Sequence, residues 1–417
     1  MATKSPKILI VGLNYSPEVT GIAPYTAGMA TGLHQLGFDT TVLTGYPHYP
    51  AWRIHPDFAG RTMTHRIDDV PVCRVRQYTP RTPKLLNRLL MEVSFGLKVI
   101  TKRWGSPDIV ILVSPALVST ALVAMRVKLG RSRPALGIWV QDIYSKGLTE
   151  TGSAPTYLAE IARRLESKTF RSAQEVAVIH DRFKTELVSS LGVDPQSLSV
   201  IRNWVHIKHK PKIDRAKTRE AMNWPPGAII ALHAGNMGAK QGLENIVDAA
   251  RLCESQGLPI IYVLVGDGNQ RLKLLKQASG LTNIRFTDTL SDIDYWAALC
   301  AADILIVNEK PGVTDMAVPS KLTSYFAAGR PVIAATEASS TTAFELRASG
   351  AGLRVDPGQP ADLNRQVVQL DADKELSNKL ASAADDFINQ TLGREHAISS
   401  FATWIQKLNS SKIKEQD

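Results

Sequence analysis

Short apolar runs alternate with longer amphipathic stretches along most of the chain. The runs are rich in β-branched residues and lack apolar–polar alternation, which predicts strands covered on both faces, hence parallel sheets. The predicted strands of the first half are Lys7–Gly12, Thr40–Thr44, Asp108–Val113, Leu136–Val140 and Glu175–Ile179. Those of the second half are Ile229–Ala234, Ile260–Gly266, Ile284–Thr287, Asp303–Val307, Pro331–Ala335 and Gly352–Val355. Because helical patterns separate most strands, the chain is predicted to form two doubly wound α/β domains.

The pattern breaks near Asn203–Thr218, a polar, proline-bearing stretch without periodicity. A chain of 417 residues has room for two such domains. We predict a first domain over residues 1–205, a second over 206–390, and a final segment over 391–417 made of the helix Arg394–Leu408 and a polar tail. His206 and His209 lie in the linker without a third ligand nearby, so they are interpreted as solvated side chains rather than as a metal site.

The only span long enough to suggest a membrane helix is Ile109–Met125. Pro115 and three serines interrupt it, so it is predicted to be a buried strand, a loop and a helix. The apolar run at Lys7–Gly12 is too short for an export signal. Three cysteines, Cys73, Cys253 and Cys300, lie far apart, which is typical of reduced thiols in a cytosol. We therefore expect a cytoplasmic protein.

Positive charge is concentrated in the first half of the chain. Residues 1–200 contain 24 Lys and Arg against 15 Asp and Glu, whereas the net charge of the whole chain is +10. A basic face suits nucleic acid, anionic lipid or a diphosphate-bearing acceptor, and a merely soluble basic surface explains it as well. The stretch from Arg81 to Trp104 has six cations and one acid, Glu92, on a broad apolar background. It indicates either an interfacial helix or a core helix with a cationic face; in the first case Arg88, Lys98, Lys102 and Arg103 face the membrane.

Two loops of the second domain place a lysine where a strand ends and a helix starts, the edge at which doubly wound sheets bind ligands. The candidate residues of these loops are Asn236, Gly238, Lys240, Ser320 and Lys321. Free N–H groups at a helix start, together with a cation, suit a diphosphate. A plain turn or N-cap explains each loop alone, but two at one edge favour a phosphate site.

Other loops are weaker candidates. Gly266, Asp267 and Gly268 form an acidic turn that suits the edge of a nucleotide site, although a simple strand-to-helix turn explains them equally. In the first domain the loop after Lys7–Gly12 has Gly21 as its only glycine, so it lacks the dinucleotide fingerprint. Asp142, beside Gln141, ends a buried strand and would orient or deprotonate an acceptor hydroxyl, or simply cap a helix.

Two acidic pairs imitate the metal site of other sugar transferases. They are Asp292 with Asp294 and Asp371 with Asp373. Both lie in helical or tail contexts, so no metal ligands and no cofactor are predicted.

Together these landmarks resemble family 4 of the retaining glycosyltransferases over nearly the whole chain, and in particular its colanic acid and exopolysaccharide branch. The resemblance rests on Asn14–Gly21, Gly242–Asn245, Pro319–Thr323, Gly266–Gly268 and Ala327–Pro331. It implies a GT-B fold, two Rossmann-like domains facing across a cleft, with a nucleotide-sugar donor in the second domain and no essential metal. It also implies that the last helix crosses back to the first domain.

The resemblance assigns roles residue by residue. Lys240 would contact the donor diphosphate, Gly21 would approach it from the first domain, and Ser320 and Lys321 would add contacts. The family's paired glutamates would fall on Met316 and Ser324, so that Asp315 would hold the donor sugar and Ser324 the ribose. Asn236 replaces an arginine, and Gln141 replaces a histidine on the acceptor side.

The expected activity is retaining transfer from GDP-fucose or a UDP-amino sugar to a lipid-linked saccharide at an anionic membrane surface. A nucleotide-sugar epimerase and a non-enzymatic basic surface-binding protein remain alternatives. Nucleic acid is not an expected partner, because the candidate phosphate loops lie in the less basic half.

Overall fold

The structure, a computed structural model, describes residues 5–18, 21–82, 84–151, 155–205, 211–313 and 321–414. The chain divides into two compact units. The first unit is Met1–Trp204 together with Arg394–Asp417, and the second is Val205–Gly393. The linker histidines, His206 and His209, lie outside the described residues.

An eight-stranded sheet forms the centre of the first unit. Its strands are β1 (Lys7–Gly12), β2 (Asp39–Gly45), β3 (Thr62–Ile67), β4 (Val70–Val75), β5 (Ile109–Ser114), β6 (Ala135–Val140), β7 (Glu175–Val178) and β8 (Leu198–Val200). They lie in the order β3-β4-β2-β1-β5-β6-β7-β8. Every neighbouring pair is parallel except β3 and β4, which are antiparallel.

The antiparallel hairpin and the short strand β8 were not predicted. Asp68 and Asp69 turn the hairpin with φ angles of 46° and 63°, a left-handed conformation that aspartate tolerates better than most residues. Strand β3 alternates half-buried and exposed side chains at the sheet edge, so it has no continuous apolar run to identify it. Every predicted strand of this sheet pairs in parallel, and the antiparallel pair at the edge consists of two strands that the apolar runs did not predict.

Six helices of the first unit follow these strands. They are α1 (Ala23–Gln35), α2 (Leu85–Thr101), α3 (Leu117–Leu129), α4 (Tyr144–Thr151), α5 (Thr156–Phe170) and α6 (Asp181–Leu191). The apolar span Ile109–Met125 divides into β5 and α3, as predicted. Across the described ranges, no helix combines the length and hydropathy that crossing a membrane requires.

The second unit contains a six-stranded, wholly parallel sheet in the order β11-β10-β9-β12-β13-β14. Its strands are β9 (Ile229–Ala234), β10 (Ile260–Val265), β11 (Ile284–Thr287), β12 (Ile304–Asn308), β13 (Val332–Ala335) and β14 (Gly352–Val355). Its helices are α7 (Arg215–Ala221), α8 (Glu244–Gln256), α9 (Arg271–Gln277), α10 (Asp292–Ala301), α11 (Lys321–Ala327), α12 (Thr341–Ser349), α13 (Pro360–Ala372) and α14 (Lys374–Phe387). Apolar side chains pack on both faces of this sheet. Each strand predicted from the apolar runs is present in one of the two sheets, with ends within one residue.

The last helix, α15 (Arg394–Lys414), packs in the first unit. The close approach of α15 to α1 and β6 depends on two glycines. A Cβ on Gly32 of α1 would lie 2.6 Å from Ile398, and one on Gly137 of β6 would lie 2.8 Å from Trp404. Phe401 adds an edge-to-face contact with Trp139, at 4.9 Å between ring centroids. Glycine therefore makes room on α1 and β6 for the bulky face of α15.

Candidate functional site

In the second unit, the loops after β9 and β10 interlock at the carboxyl edge of the sheet. A Cβ on Gly266 would lie 2.2 Å from the carbonyl oxygen of Gly235, and one on Gly268 would lie 2.5 Å from that of Met237. The Met237 N–H donates to the Asp267 carbonyl at 2.8 Å. Packing between the two loops thus requires Gly266 and Gly268, and the Asp267 carboxylate accepts the Gly268 N–H at 2.8 Å. Their contact with a nucleoside stays a prediction.

The backbone at Lys240 is held in a single 3₁₀ turn, Ala239–Gln241. The Asn308 amide donates to the carbonyls of Gln241 and Gly242 at 2.8 and 2.9 Å, and the Lys310 N–H donates to the Lys240 carbonyl at 2.8 Å. Gly238, at the start of the turn, donates its N–H to the Gln241 side chain. The turn therefore positions the half-buried side chain of Lys240 at the carboxyl edge of β9, and Asn236 of the same loop is exposed.

Lys321, the first residue of α11, lies beside a histidine that the sequence reasoning missed. Its Nζ is 3.4 Å from Nε2 of His233, whose Nδ1 lies 3.1 Å from the Ile306 carbonyl oxygen. Because a carbonyl only accepts, Nδ1 carries the proton and Nε2 accepts from the lysine. Burial, followed by the Lys321 charge, holds the pKa of His233 well below its usual value. His233 is therefore a neutral acceptor that positions Lys321.

Two lysine charges approach each other at this edge. Desolvation and, next, the Lys240 charge lower the pKa of Lys321 to about 8, while Glu309 acts in the opposite direction. The Glu309 carboxylate accepts hydrogen bonds from the hydroxyls of Thr336 and Thr342. Neutral donors thus hold the Glu309 carboxylate, and a bound anion would relieve the repulsion between the lysines.

Ser324, predicted to contact the ribose, has other surroundings. Ser324 is buried on α11 and hydrogen-bonds to the Tyr295 phenol, whose pKa burial raises to about 12. Asp315 and Ser320 lie outside the described residues.

The two acidic pairs that imitate a metal site have local roles. Asp294 bonds to Ser291 at the start of α10, and Asp373 caps α14 by accepting the Leu376 N–H. In the ranges that the structure describes, no three His, Cys, Asp or Glu side chains are grouped to hold a metal ion.

In the first unit, Asp142 follows β6 at the carboxyl edge of the sheet and is half-buried. Glu166 fixes the next turn, because its carboxylate accepts the N–H groups of Tyr144 and Ser145 at 2.7 and 3.1 Å, and the Ser145 hydroxyl at 2.5 Å. Sequence reasoning missed Glu166, since only the fold brings α5 against the start of α4. The buried Glu166 carboxylate thus fixes the start of α4, two residues beyond Asp142.

Gln141 is buried and turned inward. Its side-chain amide exchanges two hydrogen bonds with the amide of Asn203, at 3.1 and 2.8 Å. This pair ties the end of β6 to the end of the first segment of the unit, Met1–Trp204.

The Gly21 loop is anchored by a buried acid. Glu18 accepts the backbone N–H groups of His48 and Tyr49 at 2.8 and 2.9 Å, and the Asn14 amide at 2.9 Å. Gly21 has a φ of 65°, and a Cβ there would lie 3.9 Å from the Tyr49 ring. The loops after β1 and β2 therefore meet at the same sheet edge as Asp142.

The basic segment forms α2, and its cations lie at opposite ends. A helix of 17 residues is about 25 Å long, and α2 begins at the carboxyl edge of the sheet and ends at the amino edge. Arg88 is in the first turn, whereas Lys98, Lys102 and Arg103 are at or beyond the last. The fold thus separates Arg88 from the other three predicted membrane-facing cations.

The inner face of α2 packs on α3. Glu92 is buried and accepts the Val118 N–H at 2.8 Å, at the start of α3, and burial raises the pKa of Glu92 to about 7. In return, Arg126 of α3 donates to the Val99, Ile100 and Lys102 carbonyls at the end of α2. One face of α2 therefore packs in the core and the opposite face is exposed, and the membrane role of the exposed face stays a prediction.

Comparisons with known proteins agree with this architecture. Two family models match the chain, the glycosyl transferase 4-like domain over residues 20–204 and glycosyl transferases group 1 over residues 214–387. The chain is 29% identical to the putative colanic acid biosynthesis glycosyl transferase WcaI of Escherichia coli (strain K12), over 95% of this chain and 98% of that protein. It is 27% identical to the probable glycosyltransferase WbjE of Pseudomonas aeruginosa, over 80% of this chain and 84% of that protein.

Solved structures show the same fold at low identity. Alr3699/HepE of Anabaena, solved in complex with UDP, matches with a TM-score of 0.69 at 16% identity, over 96% of this chain and 99% of that one. The predicted GT-B class of two parallel-sheet α/β domains is confirmed.

Proposed function

The chain belongs to the family 4 glycosyltransferases, and we propose that it moves a sugar from a nucleotide diphosphate sugar to a lipid-linked or polysaccharide-precursor saccharide. We propose that this reaction belongs to the biosynthesis of a cell-surface polysaccharide, because the relative from Escherichia coli is described as a colanic acid biosynthesis glycosyl transferase. The proposed donors are GDP-fucose or a UDP-amino sugar.

The observation that carries this proposal is the lysine pair at the edge of the second sheet. Lys240 and Lys321 are close enough for the first to lower the pKa of the second, an arrangement that costs free energy without an anion. A donor diphosphate would supply that anion and draw both charges toward the leaving group. Stabilising charge that develops in the transition state is the largest contribution in many enzymes.

In the proposed reaction the acceptor hydroxyl attacks C1 of the donor sugar while the bond from C1 to the diphosphate oxygen breaks. Attack from the same face retains the configuration, and the leaving diphosphate takes the acceptor proton. Asp142 would orient the acceptor hydroxyl, and Asp315 would hold the donor sugar. Lysines and helix N–H groups would neutralise the leaving group, so we propose that no metal and no cofactor are needed.

A nucleotide-sugar panel tests the proposal. Purified protein is mixed with GDP- and UDP-sugars and membrane-derived lipid acceptors, with EDTA or with magnesium, and release of diphosphate and glycosylated product is measured. We expect acceptor-dependent release from one donor, at equal rates in EDTA and magnesium. Interconversion of the donor without an acceptor would identify an epimerase instead, and a metal requirement would reject the proposed leaving-group chemistry.

We further propose that α2 brings the first unit to the inner face of the cell membrane. Leu86, Leu90 and Leu97 are 68%, 48% and 49% exposed and share one helix face, opposite the buried Phe95 and Val99. Met125 and Leu129 on the adjacent α3 are exposed as well. Lys98, Lys102 and Arg103 lie at or beyond the last turn of the same helix, and apolar side chains with nearby cations are typical of an interfacial helix.

A further inference from the structure

The loop after β2 and the first turn of α2 together present two aromatic rings and an arginine at the carboxyl edge of the first sheet. The Tyr49 and Trp52 rings meet edge to face at 5.9 Å between centroids. The Arg88 guanidinium carbon, from the first turn of α2, lies over the Trp52 ring at 5.8 Å from its centroid. Tyr49 is 38% exposed and Trp52 is half-buried, so core packing does not account for the group. Aromatic, cationic and polar surfaces thus reach solvent together.

Hydrogen bonds anchor the start of this loop. Glu18 fixes the N–H groups of His48 and Tyr49, as described above. Trp52 has a φ of 52°, a left-handed conformation that costs a bulky residue about 1–3 kcal/mol. Strained residues of this kind persist where the surroundings over-determine them, and they are common at ligand sites.

Arg88 lies one turn before the buried Glu92 on α2, and its charge lowers the pKa of that carboxyl, against the larger effect of burial. In the described part of the chain, no carboxylate lies within ion-pair distance of its guanidinium. Near a helix start the dipole also disfavours a cation. The stacked ring instead restricts the orientation of the guanidinium, which leaves its planar N–H groups for an outside ligand.

Asp142 belongs to the same electrostatic environment. Burial raises the pKa of Tyr49 most, Arg88 lowers it, and Glu18 and Asp142 raise it further. The aromatic–arginine group therefore lies close to the carboxylate assigned to the acceptor hydroxyl.

We propose that Arg88, oriented by Trp52, binds a phosphate group of the acceptor while the Tyr49 ring packs on the acceptor's sugar. The ligand class is a sugar phosphate, since a guanidinium fork matches phosphate oxygens and an exposed aromatic ring packs on the C–H face of a sugar. This inference rests on the proposed transferase function and specifies its acceptor.

The test compares sugar 1-phosphates of glucose, galactose and N-acetylglucosamine with the matching methyl glycosides. Binding is measured by calorimetry with GDP or UDP at saturation, so that the donor site is filled. The proteins are wild type, Arg88→Gln, Arg88→Lys, Trp52→Phe and the control Arg61→Gln, an exposed arginine of the same unit.

Wild type and Arg61→Gln should bind at least one sugar phosphate about tenfold more tightly than its glycoside, which is about 1.4 kcal/mol. Arg88→Gln should abolish that preference, Arg88→Lys should weaken it because an ammonium has no fork, and Trp52→Phe should keep most of it. Equal affinity of wild type for both ligand types, or an unchanged preference in Arg88→Gln, would overturn the inference. Failure of the transferase proposal would appear separately, as no thermal stabilisation of wild type by GDP or UDP.

Discussion

Replacing Lys321 by methionine is expected to stabilise the protein while it weakens use of the donor. Desolvation and the Lys240 charge lower the pKa of Lys321 from 10.5 to about 8. A shift of that size corresponds to about 3 kcal/mol against the charged form, as an upper bound. The methionine leaves His233 without its hydrogen-bond donor, which removes part of the gain. We therefore expect about 1–3 kcal/mol of added stability at pH 7.

The sign of this effect depends on pH. At pH 7 the lysine is charged in both the folded and the unfolded protein, so the wild type bears the whole cost. Between pH 8 and 10.5 the unfolded chain binds more protons than the folded one, so wild-type stability rises with pH. The melting temperatures of wild type and Lys321→Met should therefore converge toward pH 10.

Activity should change in the opposite direction. A charge-assisted hydrogen bond to phosphate contributes about 1.5–3 kcal/mol, so kcat/KM for the donor should fall about 10- to 100-fold. In the wild type, kcat/KM should also decline above pH 8 as Lys321 loses its proton, because this parameter reports the free enzyme. Lys321→Arg keeps its charge and should move the decline to higher pH.

Calorimetric melting at pH 7 and 10 and donor kinetics measure both effects. Lys276→Met, at an exposed lysine of the same unit, is the control and should change neither. If Lys321→Met melts below wild type at pH 7, the assigned cost of the buried charge is wrong. If its kcat/KM is unchanged, Lys321 does not contact the leaving group.

Three further outcomes are expected. Lys240→Ala should lower kcat/KM for the donor about 10- to 100-fold without lowering the melting temperature, because it relieves the repulsion on Lys321, and near-normal kinetics would reject its diphosphate contact. Burial raises the pKa of Glu92 from 4.5 to about 7, so the folded state binds more protons than the unfolded one over that range and stability falls as pH rises. Between pH 5 and 8, the unfolding free energy of Glu92→Gln should therefore fall by up to about 3 kcal/mol less than that of wild type, as measured by thermal melts. An equal pH dependence in both proteins would contradict the raised pKa of Glu92. Wild type should float with liposomes of anionic phospholipid at low salt, whereas Leu90→Glu with Leu97→Glu should stay soluble; equal flotation would exclude docking by α2.

The candidate site was only partly predictable. Lys240 and Lys321 stand beside glycine, proline and helix-start signals that are local in sequence, so their edge of the sheet could be inferred. His233 and Glu166 carried no such signal: one is a single polar residue inside an apolar strand, and the other lies mid-helix. Their roles depend on partners far along the chain.

Periodicity by itself determined the two α/β domains, because a strand buried on both faces must be apolar along its length wherever its neighbours lie. It did not determine the β3–β4 hairpin, since an exposed edge strand needs no such run. Only the tertiary structure showed that the side-chain amide of Gln141 hydrogen-bonds to that of Asn203. It also showed that Arg88 lies at one edge of the sheet, whereas the cations at the end of α2 lie at the other. Those outcomes depend on long-range packing, and a hydrophobic pattern records which side chains are buried but not which neighbours they meet.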